Sequence, residues 1–114
     1  MSIYIRAICM CLSVIIASPL YGQTTPLERL ETYVEIDTTN PPGNETRGVD
    51  FFAAIFDEAG IPYETAESAP GRGNIWARLE GGDEPGVVLL HHIDVVPATP
   101  EMWDTDPLQA IEID

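Results

Sequence analysis

A histidine and an aspartate stand two residues apart at the end of an apolar stretch. Residues 87–90 read V-V-L-L and lead through His91 to His92 and then, after one further residue, to Asp94. Imidazole is a common ligand for zinc and related metals. A metal-bound histidine usually donates its other ring N–H to a carboxylate, which fixes the tautomer and raises the basicity of the ligand. The pair therefore suits metal chemistry, with His92 as ligand and Asp94 as orienting carboxylate.

A buried strand over residues 87–94 is the element expected to position this pair. A short, continuous apolar stretch is typical of a strand buried on both faces, and its carboxyl end is where an open α/β sheet presents functional groups. Alternation along the strand puts His92 and Asp94 on one side, and His91 and Ile93 on the other. The alternative is a metal-free strand end with hydrogen-bonded polar groups. The spacing alone favours this alternative, because His-x-Asp is a weak pattern.

Two helices are predicted before the strands. Thr25 and Glu28 can form a capping box around a proline at the first helical position, so a helix is expected from Pro26 to about residue 36. Apolar residues recur at helical spacing over residues 45–59, which predicts a second helix with Asn44 as its cap and Gly60 just past its end. Prolines and a glycine predict a loop over residues 37–43.

Short strands are predicted after the helices. Residues 63–66 form a weak candidate, and residues 74–80 alternate between apolar and polar side chains. A glycine-rich turn joins residues 74–80 to the apolar stretch, so these two strands are expected to form a hairpin-like pair or to be neighbours, covered by the two preceding helices. Residues 109–113 alternate weakly and are a candidate for a final short strand.

Four motifs follow one another in a fixed order along the chain. They read I-D-T-T-N-P-P-G-N-E at residues 36–45, G-R-G-N-I-W-A-R-L at residues 71–79, H-I-D-V-V-P at residues 92–97, and Trp103 followed by Asp106-Pro107. In this order and spacing they resemble the M20 family of dinuclear zinc peptidases and deacylases, whose first metal-site motif reads His-x-Asp-x-Val. His91 is a departure, since the family often has a small residue before the ligand.

The resemblance implies a fold and a site. The fold is the N-terminal part of a mixed α/β zinc-peptidase catalytic domain, spanning residues 23–114 and incomplete, with two helices followed by strands of a central sheet. His92 is the implied metal ligand, and Asp94 is the implied catalytic residue that orients it. The complete site would hold two Zn²⁺ ions, with Co²⁺ as an alternative. Because a catalytic zinc needs about three protein ligands, the remaining ligands and the general base are expected beyond Asp114, and the 114 residues alone are expected to be inactive.

The resemblance also implies a function. It indicates part of a secreted metallopeptidase of the carboxypeptidase kind, which hydrolyses peptide bonds with a metal-activated water. An N-acyl-amino-acid deacylase or aminoacylase of the same family is an alternative, since both activities share the metal chemistry. The implied substrate is a small peptide or an N-acyl amino acid, and a homodimer of the full-length protein is compatible with the family. Outside the enzymes, the sequence is also compatible with a non-catalytic acidic secreted domain or a membrane-anchored accessory protein.

Residues 1–22 have the layout of a secretory signal peptide. Arg6 precedes an apolar stretch over residues 7–17, and small residues follow it. This predicts a secreted or periplasmic protein with no stable membrane insertion after cleavage; an uncleaved anchor is the alternative. Both cysteines, Cys9 and Cys11, lie inside the segment. The cleaved chain would therefore have no disulfide or thiolate chemistry.

The charge of the chain excludes one class of partner. The formal net charge is −14, and the sequence contains 19 acidic residues against 5 arginines and no lysine. Such a surface repels nucleic-acid phosphates and anionic membranes. No nucleic-acid partner is therefore expected.

Overall fold

The computed structural model describes residues 24–113, so the predicted signal peptide and its two cysteines lie outside the described residues. Two α-helices are followed by two antiparallel strands, and a long segment with little regular structure follows. This small α/β arrangement confirms the predicted fold class, an incomplete α/β domain. Within residues 24–113 no helix is both long and apolar enough to cross a membrane.

Helix α1 spans Pro26–Val34 and begins at the predicted capping box. Glu28 donates its backbone N–H to Thr25 Oγ1 at 3.1 Å, and Thr25 donates its own backbone N–H to Glu28 Oε2 at 2.6 Å. These bonds satisfy donors that have no partner inside a helix, which is why the helix begins here. It ends two residues before the predicted boundary, a common difference because helix ends fray.

Helix α2 spans Glu45–Ala59, as predicted. Gly60 follows in the left-handed conformation at a φ of 65°, where a glycine avoids the steric cost of a Cβ. Asn44 occupies the N-cap position, but its side chain makes no capping hydrogen bond, so the predicted side-chain cap is wrong. The backbone N–H of Thr46 is satisfied instead by the carbonyl of Gly71 at 3.0 Å, which ties the start of α2 to the following hairpin.

The two strands pair with each other in a hairpin, whereas the sequence predicted that residues 74–80 would lie beside the apolar stretch at residues 87–90. Strand β1 spans Tyr63–Glu67 and strand β2 spans Gly73–Ala77. They pair antiparallel from Tyr63 opposite Ala77 to Glu67 opposite Gly73. Strand β2 therefore pairs with the strand that precedes it in the sequence. It ends three residues before its predicted end.

Helix α2 packs on this hairpin, and the small core lies between them. Val49 of α2 is the one hydrophobic side chain that is buried among the described residues. Gly73 lets β2 approach the helix, since a Cβ at that position would lie 2.8 Å from Thr46 Oγ1. On another side of α2, the ring of Phe51 stacks on Tyr33 of α1 at a centroid distance of 5.5 Å, and the ring of Phe52 contacts Tyr33 at a tilt at 5.0 Å. These aromatic side chains of α2 therefore form a packing surface, although it is only half-buried.

The predicted buried strand over residues 87–90 is wrong. These four residues belong to no strand, and their exposed fractions lie between 85 and 94%. A strand is buried on both faces only when other strands pair with its edges and further elements cover its faces. The sheet that the structure describes consists of β1 and β2 alone, and neither pairs with this segment.

The C-terminal part of the described chain is a loop. A single 3₁₀ turn spans Pro100–Met102, and it was not predicted. The candidate strand at residues 109–113 is absent from the described residues. No partner strand lies beside this stretch to stabilise it, and weak alternation alone does not form a strand.

Candidate functional site

The segment that carries His92 and Asp94 is held by the loop after α1. Thr38 Oγ1 donates to the carbonyl of Ile93 at 2.9 Å, and the backbone N–H of Val95 donates to the carbonyl of Thr38 at 3.3 Å. Asn40 donates its backbone N–H to the carbonyl of Val95 at 2.9 Å, and Thr39 and Val95 form an isolated parallel bridge. Thr38 is 2% exposed, so water does not compete for its hydroxyl. The loop thus positions the pair, in the role that the sequence assigned to a sheet.

His92 and Asp94 contact each other. His92 Nδ1 lies 3.1 Å from Asp94 Oδ1 and 2.8 Å from the backbone carbonyl oxygen of Asp94. Both neighbours are acceptors, so Nδ1 carries the proton and donates it, and Nε2 keeps the lone pair that a metal ligand needs. The ring of His92 is 85% exposed, and Nε2 has no hydrogen-bond partner within residues 24–113. The geometry is that of a histidine oriented by a carboxylate, whereas its role as a ligand stays a prediction.

The carboxylate of Asp94 is stabilised in its charged form. Asn40 Nδ2 donates to Asp94 Oδ2 at 3.0 Å, and this bond is the main reason why the pKa of Asp94 lies below its ordinary value. Partial desolvation raises the pKa and opposes this effect, while the contact with His92 lowers it further. Asp94 is therefore an anion at neutral pH, as an orienting carboxylate must be.

His91 faces a different environment from its neighbour. Its ring meets Phe52 edge to face at a centroid distance of 5.5 Å, and its Nε2 lies 3.4 Å from the hydroxyl of Tyr33. These contacts fix His91 against the two helices, which agrees with the predicted alternation of side chains along residues 91–94. Packing, rather than ligation, is the role that the contacts assign to this histidine.

An open cavity of about 1000 Å³ lies beside the pair. His92, Asp94 and Trp103 line it, together with Tyr33 of α1 and Ile36, which follows the helix. From the sequence, Trp103 is expected to be an aromatic anchor of its loop, with packing under the end of the metal-bearing strand as the alternative. The structure places Trp103 on the same cavity with 55% of its surface exposed.

The residues present fit one ligand of a metal site but not a complete site. Within residues 24–113 there is no group of three or more His, Cys, Asp or Glu side chains that could hold a metal. A catalytic zinc needs about three protein ligands and an open position, and His92 would be one of them. No catalytic step is assigned to the described residues for this reason.

Two residues of the site were not identified from the sequence as site residues. Asn40 binds Asp94, and Arg72 Nη1 lies 3.5 Å from Asn40 Oδ1. Both residues lie in motifs that carry the family resemblance, so their positions were available as a signal. The sequence does not show their role, because nothing in the spacing indicates that residues 40, 72 and 94 meet.

Curated relatives match part of the chain. It is 32% identical over 89 residues to acetylornithine deacetylase of Vibrio campbellii, and 35% identical over 75 residues to acetylornithine deacetylase of Vibrio atlanticus. These alignments cover 76% and 63% of this chain, but only 23% and 19% of the relatives. No protein-family model matches the chain, and no solved structure matches it significantly.

The relatives bear on both the family and the kind of enzyme. Both are hydrolases by name, and acetylornithine deacetylase is an enzyme of the M20 family. The identity is low and the chain spans less than a quarter of the length of either relative. The similarity therefore supports, at most, a relationship to the M20 family and a hydrolase of that kind.

Proposed function

We propose that this chain contributes a metal ligand and its orienting carboxylate to an M20-type amide hydrolase. The contact between His92 Nδ1 and Asp94 Oδ1 at 3.1 Å carries the proposal, because it leaves the second ring nitrogen free to bind a metal. In this proposal His92 binds Zn²⁺ and Asp94 fixes the ring. Zinc supplies a Lewis acid and an activated water when it is bound.

The names of the relatives support one substrate class. Both of them are named as deacetylases of an N-acetylated amino acid, which favours the deacylase alternative over the carboxypeptidase that the sequence indicates first. We therefore propose an N-acyl amino acid as the substrate. The remaining ligands and the general base would come from sequence that has no counterpart in these 114 residues, since the match covers less than a quarter of each relative. Export through the N-terminal segment is part of the same proposal.

The experiment compares two adjacent histidines in the protein purified at its native length. His92→Ala should abolish hydrolysis of N-acetylornithine and lower the bound zinc, because it removes the ligand. His91→Phe is the matched control: it also removes an imidazole, but it keeps an aromatic ring against Phe52. Its zinc content and turnover should stay near those of the parent protein.

Three outcomes are informative. Unchanged zinc content and turnover in His92→Ala would exclude His92 as a ligand. Loss of zinc in both variants would mean that the segment, rather than the His92 ring, is required. Hydrolysis of a dipeptide but not of any N-acetyl amino acid would move the assignment back to a peptidase.

A further inference from the structure

A chain of four polar contacts extends from His92 into the interior of the fold. It runs from His92 to Asp94, then to Asn40, Arg72 and Glu45. Two of these contacts join residues that are 32 and 54 positions apart in the sequence. Together the four contacts connect the C-terminal segment with the loop after α1, the hairpin turn and the first turn of α2. Such a chain can carry the positioning of one side chain over a long distance, provided that each link is fixed.

The first two contacts fix the Asp94 carboxylate at both of its oxygens. Oδ1 faces His92 Nδ1 at 3.1 Å, and Oδ2 accepts from Asn40 Nδ2 at 3.0 Å. With one oxygen on each partner, the carboxylate cannot rotate without losing a hydrogen bond. Any change at Asn40 therefore reaches Oδ1, which is one of the two acceptors that face His92 Nδ1; the other is the backbone carbonyl of Asp94.

The second and third contacts fix the side-chain amide of Asn40 in one orientation. Its backbone N–H is bound to the carbonyl of Val95, and its side chain lies between a carboxylate, which only accepts, and a guanidinium, which only donates. The amide must therefore turn its NH₂ group to Asp94 and its oxygen to Arg72. A flipped amide would oppose oxygen to oxygen and donor to donor.

The fourth contact, between Arg72 and Glu45, fixes the side chain of Arg72. Its Nε lies 2.8 Å from Glu45 Oε2, and the side chain of Glu45 is 8% exposed. That oxygen accepts no hydrogen bond of good geometry, so the link is an ion pair held by charge. Gly43 closes over the same guanidinium, since a Cβ at Gly43 would lie 2.8 Å from Arg72 Nε. Arg72 is therefore held both by an opposite charge and by close packing.

We infer that Asn40 and Arg72 are positioning residues, which hold the Asp94 carboxylate and through it select the tautomer and orientation of the His92 ring. This rests on the proposed function for its catalytic consequence, but the effect on the ring is a property of the chain itself. Neither residue contacts a substrate or the reacting atoms in this assignment. Their effect passes through Asp94.

The test measures the His92 tautomer directly. In the metal-free full chain, the ¹⁵N shifts of the ring should show the Nδ1-protonated tautomer, because both acceptors lie on that side. Asn40→Asp replaces the donor with a second carboxylate at almost the same shape and should give a mixture of tautomers. Asn74→Asp, at an exposed position of β2, adds the same charge and should change nothing.

A second pair of variants changes Arg72, which contacts Asn40 but not Asp94, and so avoids a change beside the Asp94 carboxylate. Arg72→Lys keeps the charge opposite Glu45 but loses the planar fork that reaches Asn40, so the tautomer shift should be smaller and in the same direction. Arg78→Lys is its matched control, because Arg78 is 83% exposed and pairs only with the surface residue Glu80. In the zinc-loaded protein, Asn40→Asp should lower turnover by about tenfold, the low end for a partner that orients a metal ligand.

Failure of this inference is distinguishable from failure of the proposed function. Parent-like tautomer populations in both Asn40→Asp and Arg72→Lys would overturn the inference, even if His92→Ala abolishes activity. A tautomer shift in Asn40→Asp together with full activity in His92→Ala would support the inference and reject the proposed function.

Discussion

Substitution of Gly48 tests how closely α2 approaches the segment that carries the candidate site. Gly48 lies in α2, and a Cβ at this position would lie 2.6 Å from Ile93 Cγ2. Ile93 stands between His92 and Asp94, so this glycine determines how closely the pair can approach the helix. Gly48→Ala adds one methyl group at the contact and touches neither member of the pair.

Two opposing terms determine how Gly48→Ala changes the free energy of unfolding. Alanine is favoured over glycine inside a helix by about 1 kcal/mol. Cγ2 is bonded directly to the branched Cβ of Ile93, whose χ1 is stiff, so relief of the overlap requires a backbone shift. Overpacking of this kind costs about 1–3 kcal/mol, so we expect the free energy of unfolding to stay unchanged or to fall by up to about 2 kcal/mol.

Urea denaturation of four variants separates these terms. Ala54→Gly, at an exposed position of the same helix, measures the helix preference without a steric contact. Ile93→Leu removes the Cγ2 methyl, so the double variant Gly48→Ala/Ile93→Leu should recover part of the loss, with a coupling energy of at least about 0.5 kcal/mol. The reasoning would be refuted if Gly48→Ala alone stabilised the chain by the amount that Ala54→Gly loses, with His92 ring shifts unchanged.

Three further substitutions test single contacts. Hydrogen bonds from Thr25 hold the pKa of Glu28 below its ordinary value of 4.5, so Glu28 stabilises the fold above that pH, and the contribution is lost as pH falls through the lower folded pKa. Glu28→Gln should remove this part of the acid dependence, measured by urea denaturation from about pH 7 to about pH 3. Thr38→Val leaves the carbonyl of Ile93 without its 2.9 Å donor and should lower the free energy of unfolding by about 1–3 kcal/mol; no loss would mean that water replaces the hydroxyl. Gly60→Ala should cost about 1 kcal/mol because residue 60 has a φ of 65°, and an increase in the thermal midpoint would contradict this.

Both helices could be predicted from the sequence because their signals are local. Thr25 and Glu28 stand three residues apart and recognise each other without help from the rest of the chain. Gly60 ends α2 because of its own backbone preference. The pairing of His92 with Asp94 could also be predicted, since only one residue separates them, although the orientation of the carboxylate depends on the distant residue Asn40.

The error at residues 87–90 has the opposite origin. A continuous apolar stretch predicts burial, but burial depends on neighbours that the stretch does not itself encode. The structure leaves these residues 85–94% exposed, and the sheet it describes ends at β2. The composition of the segment therefore indicates that it needs neighbouring strands and covering elements, whereas the described residues provide neither.

The support of the candidate site could not be predicted for a related reason. Asn40 and Arg72 lie 54 and 22 residues from Asp94 along the chain, and their contacts join the loop after α1, the hairpin turn and the segment that carries Asp94. A motif search finds the residues but not the links between them. The amide of Asn40 matters only because an acceptor lies on one side of it and a donor on the other.

The origin of the site geometry follows from these contacts. A strand end would orient His92 through a sheet, and the described residues place no sheet at residues 87–98. The hydrogen bonds of Thr38 and Asn40 replace that support, and the ion pair between Arg72 and Glu45 connects it to α2. The ligand geometry is thus built from loop contacts that depend on α2 and the hairpin. Variants that weaken the hairpin turn should therefore disturb the His92 tautomer before they disturb α1, whose capping box is local.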